Sequence, residues 1–293
     1  MALIIPPRLI ASCAGAAECV EWLRRLPATV TELEARWSLT LSEPFTTDEG
    51  SCAWVAPAET ADGARVVLKI GMPHFEARDE ASGLRFWNGD PAIRLLDEDA
   101  ASGAMLLERC EPGASLRTVP HTEQDRVIAG LLRRLWRPPS DPHSFRPLSA
   151  QLDLWSDEAL AREPEWPDPG LVREGLRLFH HLSRDQPSAV LLATDLHPGN
   201  VLRATREPWL VIDPKPFVGD PAYDATQLFL SDRLEQLAGD PVGVIDRFAD
   251  LVEIESARIR LWLFARLVAD PRADWSDPAP FALARRLGRL GSG

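Results

Sequence analysis

The chain has 293 residues, of which 45% are hydrophobic and 26% charged, the composition of a globular protein of one or two domains. Its 44 acidic residues against 32 basic ones give a formal charge of −12. That balance argues against nucleic acid as the main ligand, because neutralising phosphates needs a basic face, and no apolar run approaches the ~20 residues that span a bilayer. An acidic chain is compatible with a cationic small molecule.

Only two of the basic residues are lysines, Lys69 and Lys215; the other thirty are arginines. Cys13, Cys19, Cys52 and Cys110 have neither CxxC nor zinc-site spacing, so free thiols in a reducing compartment are expected. The apolar start is interrupted by Pro6, Pro7 and Arg8 and has no basic stretch before it, so a cytoplasmic protein is expected.

In chain order, Val20, Leu23, Leu26, Val30 and Leu33 recur at helical spacing over 16–38, with Pro27 expected as a break. Runs at 52–58 and 64–70 flank Asp62-Gly63 and predict a β-hairpin. A helix is predicted over 74–88, then strands at 91–96 and 104–109 and a turn at Glu111-Pro112-Gly113. The proline-rich stretches 137–147 and 162–170 predict loops. After residue 122 helices dominate, at about 123–136, 149–162, 169–184, 223–234, 241–252 and 254–269, interrupted by a strand-rich island at 190–213. The reading is a small α/β lobe over 1–112 and a larger helical lobe over 113–293.

The island holds the most informative chemistry. Apolar segments at 200–203 and 209–212 flank a polar turn, which predicts a second hairpin with Asn200 and Asp213 near each other and Asp195 at its mouth. One carboxylate can orient a hydroxyl nucleophile, while an amide and a second carboxylate offer hard oxygens to Mg²⁺. His197 reads equally as a contact to phosphate or as part of the turn. Asp220 and Asp224 read either as a lining for a cationic substrate or as caps and anchors of the helix that follows. The Asp220-Pro221 pair favours the capping role for Asp220. Neither GxxxxGK[ST] nor GxGxxG occurs, so neither a P-loop nor a dinucleotide fold is expected.

The run Asp-Leu-His-Pro-Gly-Asn at 195–200, with Asp213 thirteen residues beyond Asn200, resembles the catalytic loop and metal-binding aspartate of protein-kinase-like phosphotransferases. Together with Trp-Leu-Val-Ile-Asp-Pro-Lys at 209–215 and Val-Gly-Asp-Pro-Ala-Tyr-Asp at 218–224, it resembles the aminoglycoside/hydroxyurea antibiotic resistance kinases, a group that includes streptomycin 6-kinases. The similarity runs from about residue 20 to 270, with Val-Leu-Lys-Ile around Lys69 and Leu-Leu-Glu-Arg at 106–109 as weaker pieces.

The resemblance implies an α+β, bilobal protein-kinase-like fold and transfer of phosphate from ATP, with Mg²⁺, to a hydroxyl of a small molecule. The resemblance points to an aminoglycoside, with streptomycin's 6-hydroxyl first and hydroxyurea next; the charge of −12 fits a cationic antibiotic but does not select one. By the same resemblance Asp195 is the catalytic base, Asn200 and Asp213 hold Mg²⁺, and Lys69 meets the α- and β-phosphates. Glu80 is the lysine's ion-pair partner, although Glu76 lies one helical turn earlier on a similar face. Glu108 and Cys110 belong to the hinge segment whose backbone holds adenine, and Gly50 and Ser51 to the phosphate-covering loop. Two features depart from the family's pattern: Ala193-Thr194 replaces His-Gly before the catalytic aspartate, and the phosphate loop has the single glycine Gly50. A metabolite kinase of the same fold and a catalytically silent nucleotide-binding relative are the competing readings.

Overall fold

The computed structural model describes residues 3–46, 52–186 and 188–290. The chain divides into two units, Met1–Ala114 with Arg203–Ile212, and Ser115–Leu202 with Asp213–Gly293.

The first unit carries a five-stranded antiparallel sheet. After α1 (Pro7–Ser12) and α2 (Ala17–Trp37) come β1 (Leu39–Leu41), β2 (Ala53–Thr60) and β3 (Arg65–Gly71); α3 (Glu80–Trp87) follows a 3₁₀ turn, then β4 (Leu95–Asp99) and β5 (Ala104–Glu108). The strand order is β1-β2-β3-β5-β4. The expected β2–β3 hairpin forms in a register that sets Val55 opposite Lys69. Its turn needs the left-handed backbone of Gly63 (φ +82°), and the Thr60 hydroxyl accepts the Ala64 N–H at 3.0 Å.

One face of the sheet buries Trp54, Ala56, Leu68, Ile70 and Leu106 against Leu26, Val30 and Leu33 of α2. Two expectations for α2 need correction. Pro27 does not break it: the helix runs through, because a mid-helix proline forfeits one backbone bond while the buried face on either side holds the turns together. Val20 faces solvent. The strand expected at 91–96 lies instead at Leu95–Asp99, since Ala92 bridges Val211 and the Ile93 N–H donates to the Val211 carbonyl. The helix expected from residue 74 begins as a helix only at Glu80, and Asn88 (φ +46°) ends it.

The second unit is helical: α4 (His121–Leu135), α5 (Leu148–Ala161) and α6 (Pro169–Leu182), and after the strand island α7 (Pro221–Ala225), α8 (Gln227–Asp232), α9 (Leu234–Gly239), α10 (Pro241–Val252), α11 (Ser256–Ala269) and α12 (Ala279–Leu290). Every residue from Trp262 to Ala269 is buried, so α11 is the hub of this unit. It packs on α6, where a Cβ at Gly175 would lie 2.5 Å from Val268 Cγ2, so glycine permits the close approach.

The helix expected over 223–234 is interrupted. The Thr226 hydroxyl donates to the Tyr223 carbonyl at 2.6 Å, closing α7 before α8 starts. In the island, β6 (Val190–Leu192) pairs antiparallel with β9 (Phe217–Gly219), while β7 (Val201–Arg203) and β8 (Trp209–Val211) form the second expected hairpin. The four cysteines are thiols, and among the described residues no helix is long and apolar enough to cross a membrane.

Candidate active site

In the second unit, the 193–200 loop leaves β6 and turns back through a 3₁₀ segment at Pro198–Asn200. The His197 side chain caps this segment, its Nδ1 accepting the Gly199 N–H at 3.1 Å and facing Arg117 Nη2 at 3.2 Å. The turn half of the open reading of His197 is therefore realised. The Asn200 side-chain amide donates to the Asp195 carbonyl at 2.9 Å, which commits its nitrogen to the loop and leaves Oδ1 as its acceptor atom.

Asp213 follows β8 with a left-handed backbone (φ +52°) and is half-buried. The chain then crosses the loop: the Lys215 N–H donates to the Ala193 carbonyl at 2.8 Å, and the Thr194 hydroxyl donates to the Lys215 carbonyl at 2.6 Å. The crossing brings the 213–215 segment against 193–195.

The Asp195 carboxylate is held on both oxygens. Lys215 Nζ donates to Oδ2, and Gln227 Nε2 donates to Oδ1 at 2.9 Å. Each carboxylate oxygen has two acceptor directions, so one on each oxygen remains for a substrate hydroxyl.

Thr194 stands where the family pattern has glycine, and its φ of +50° explains that preference, since a left-handed backbone is costly for a β-branched residue. Its hydroxyl bond to Lys215 and the latch described next hold it there.

That latch is Asp224, on α7 beneath the loop and 1% exposed. Its carboxylate accepts the Ala193 N–H at 2.9 Å, the Thr194 N–H at 2.8 Å and Trp136 Nε1 at 3.1 Å. Burial pushes its carboxyl up to about 6, even though these hydrogen bonds and the nearby Arg266 charge favour the ionised form. Of its two sequence readings, anchoring is the one the contacts support: all the polar contacts named here are internal. Asp220 caps α7 through the Ala222 N–H and also accepts from Arg258 Nε and Trp262 Nε1. The Asp220 cap is local and follows from the Asp220-Pro221 pair, whereas the particular partners Ala193, Thr194, Trp136, Arg258 and Trp262 lie 30 or more residues away in the chain and are not marked in the sequence.

In the first unit, Lys69 on β3 and Glu80 at the start of α3 form a buried ion pair, with Nζ 2.6 and 2.7 Å from the two carboxylate oxygens. Glu80, not Glu76, is thus the partner in this pair. Glu108 ends β5 with its N–H on the Arg94 carbonyl and its carboxylate on the Arg94 N–H and, at 2.8 and 2.9 Å, on Arg206. Burial would raise this carboxyl, but the Arg206 guanidinium and the Arg94 amide hold it below the usual range. Arg206, which sequence patterning did not single out, also donates to the Gly89 carbonyl at 2.6 Å. Cys110 is half-buried and its thiol is pushed up to about 12, chiefly by burial and then by the Glu108 charge, which makes it an inert thiol. Gly50 and Ser51 lie outside the described residues. Among the described residues, no cluster of three or more His, Cys, Asp or Glu is placed to hold a metal ion.

Residues 36–277 match the family described as aminoglycoside/hydroxyurea antibiotic resistance kinase. The chain belongs to this family. Its relatives include a streptomycin 6-kinase from Streptomyces glaucescens, 36% identical over 97% of this chain and 96% of that one, and a hydroxyurea phosphotransferase from Kitasatospora aureofaciens, 34% identical over 87% and 74% respectively. Among solved structures, a choline kinase from Streptococcus pneumoniae superposes with a TM-score of 0.58 at 13% identity, covering 89% of this chain and 98% of the other; it shares the protein-kinase-like fold. The kinase is therefore an ATP-dependent phosphotransferase that acts on a hydroxyl acceptor and serves antibiotic resistance.

Proposed function

We propose that this kinase transfers the γ-phosphoryl group of ATP to a hydroxyl of an aminoglycoside, with the 6-hydroxyl of streptomycin as acceptor and Asp195 as the catalytic base. The observation that carries the reading is the Asp195 carboxylate, fixed on one side by Lys215 and on the other by Gln227 with acceptor positions to spare. The substrate choice rests on the extent of the similarity to the streptomycin 6-kinase, and the charge of −12 favours a cationic antibiotic. Hydroxyurea is the second candidate, favoured by the phosphotransferase at 34% identity. The reaction takes place in the cytoplasm.

In this reading Asp195 orients the acceptor hydroxyl toward the γ-phosphorus and takes its proton as the new P–O bond forms and the bond from the γ-phosphorus to the β,γ-bridging oxygen breaks, with ADP as the leaving group. Phosphoryl transfer asks little covalent chemistry of the protein, so orientation and charge supply most of the acceleration. Lys69, its ammonium steadied by Glu80, meets the α- and β-phosphates. With the Glu108 N–H already given to Arg94, the adenine contact falls to the Cys110 backbone. By the family resemblance, the phosphate-covering role belongs to the segment of the sequence that contains Gly50 and Ser51.

Mg²⁺ suits the oxygens of Asn200 and Asp213, since that ion binds one or two carboxylates together with substrate phosphates in preference to an all-protein cage. When bound, it neutralises charge on the phosphates. Incubation of the kinase with ATP, Mg²⁺ and either streptomycin or hydroxyurea, read by product mass, tests the reading. One added phosphoryl group on streptomycin supports it; modification of hydroxyurea alone moves the assignment to the second candidate, and modification of neither refutes both.

A further inference from the structure

We infer that Arg266 is a positioning residue that acts on the catalytic base through Gln227, fixing the orientation of an amide that in turn fixes the Asp195 carboxylate. The inference rests on the reading of Asp195 as base. Arg266 sits in the hub helix α11, only 4% exposed. Its Nη2 donates to Gln227 Oε1 at 2.7 Å and its Nη1 to Thr226 Oγ1 at 2.8 Å, while the guanidinium lies over the Tyr223 ring, 4.6 Å from its centroid. Among the described residues no carboxylate pairs with it directly, and its Nε has no hydrogen-bond partner. A buried guanidinium in that condition is costly.

What the charge accomplishes follows from the chemistry of its neighbours. Arginine only donates and an ionised carboxylate only accepts, so an amide lying between them has a single orientation that satisfies both. With Arg266 on one side, Gln227 must present its oxygen inward and its NH₂ to Asp195 Oδ1, as observed. Free of Arg266, the amide could turn over and set its oxygen against the carboxylate. The buried positive charge therefore sets the polarity of the amide next to the base. Asp224 and Arg266 divide the work beneath the loop: Asp224 latches the Ala193 and Thr194 backbone, and Arg266, at one remove, sets the side chain of the next residue.

Steady-state kinetics with streptomycin and ATP, together with crystal structures of the variants, test this. Gln227→Glu keeps the bond to Arg266 but turns an oxygen on Asp195; kcat should fall about 10- to 100-fold, the effect of losing a hydrogen bond to a charged group, with KM for ATP unchanged. Arg266→Met should lower kcat in the wild-type background and cause no further loss in the Gln227→Met background, whereas a purely structural role would cost the same in both. Arg266→Lys, which retains a donor, should restore part of the rate and covers the event that the methionine variant does not fold. Independently of any substrate, the Gln227→Glu crystal structure should show the Asp195 carboxylate rotated away from its wild-type position.

An unmoved carboxylate, or equal losses from Arg266→Met in the two backgrounds, overturns the inference. Asp195→Ala in the same assays separates the two levels. Retained turnover there removes the base assignment itself, while lost turnover beside a silent Gln227→Glu removes only the relay.

Discussion

Asp224→Asn separates the stability of this kinase from its activity. The wild-type carboxylate accepts three hydrogen bonds from the loop and Trp136. The better amide orientation keeps its oxygen toward the Ala193 N–H and Trp136 Nε1, and sets its NH₂ against the Thr194 N–H. One buried donor is left unsatisfied, a cost of about 1–3 kcal/mol. Against this, the wild type buries an ionised carboxylate at pH 7. Its carboxyl is raised from 3.8 to about 6, and that shift corresponds to about 3 kcal/mol which the neutral amide does not incur.

The two effects offset each other, so at pH 7 stability should change by less than about 2 kcal/mol. Activity should not be spared. The unlatched Thr194, at φ +50° immediately before Asp195, is free to relax, and a displacement of about 1 Å at the base costs about 100-fold in kcat. The sign with pH follows from the raised carboxyl. Wild-type stability from this group is complete below about pH 4, declines as the pH rises to about 6 and then levels off, whereas the asparagine does not titrate. Chemical denaturation at about pH 4 and pH 7.5 should therefore show the wild type's advantage over the variant shrinking by about 3 kcal/mol toward the higher pH. A kcat within twofold of wild type, or an advantage independent of pH, refutes this account of the latch.

Other substitutions read other parts of the two units. Lys69→Arg replaces a compact ammonium held at 2.6 and 2.7 Å by a planar fork in a buried strand position; kcat/KM for ATP should fall at least about tenfold, and an unchanged value contradicts the role given to the lysine. Glu80→Gln removes the negative charge opposite the buried Lys69 ammonium and should cost about 1–3 kcal/mol by denaturation. Arg206→Ala removes the guanidinium that holds the Glu108 carboxyl low and should cost about 1–3 kcal/mol at pH 7. Because a lowered carboxyl contributes stability that is lost as pH falls through its folded value, the gap between wild type and Arg206→Ala should narrow in acid. Thr194→Val keeps the left-handed strain but loses the hydroxyl bond to the Lys215 carbonyl, and should be less stable than Thr194→Gly by about 1–2 kcal/mol.

What the sequence displayed and what it concealed divide along physical lines. The β2–β3 hairpin was legible because its signal is local: alternating apolar residues around Asp62-Gly63. The capping role of Asp220 was legible for the same reason, as a residue next to a proline at a helix start. Pro27 misled because a proline's local penalty is outweighed once the helix is pinned along a buried face. The division of 223–234 into α7 and α8 depends on one hydroxyl, that of Thr226, competing for the Tyr223 carbonyl. The supports of the base were hardest to see: Gln227 and Arg266 reach Asp195 only because helices far along the chain fold beneath its loop, and nothing in their own neighbourhoods marks them, while Asp224 stands in the 218–224 motif but its partners on the loop do not show in the sequence. Lys215 was visible as one of two lysines within matched motifs, but only the crossing at Ala193 and Thr194 brings it to Asp195.

The central claim is that Asp195 is the base for a hydroxyl acceptor, and the most direct measurement pairs two readouts on Asp195→Ala: transfer of phosphate from ATP to streptomycin, followed by product mass, and ATP binding, followed by calorimetry. The structure predicts turnover reduced to background with ATP affinity within about twofold of wild type, since the residue is assigned to the acceptor and not to the nucleotide. Turnover that survives the substitution would contradict the claim.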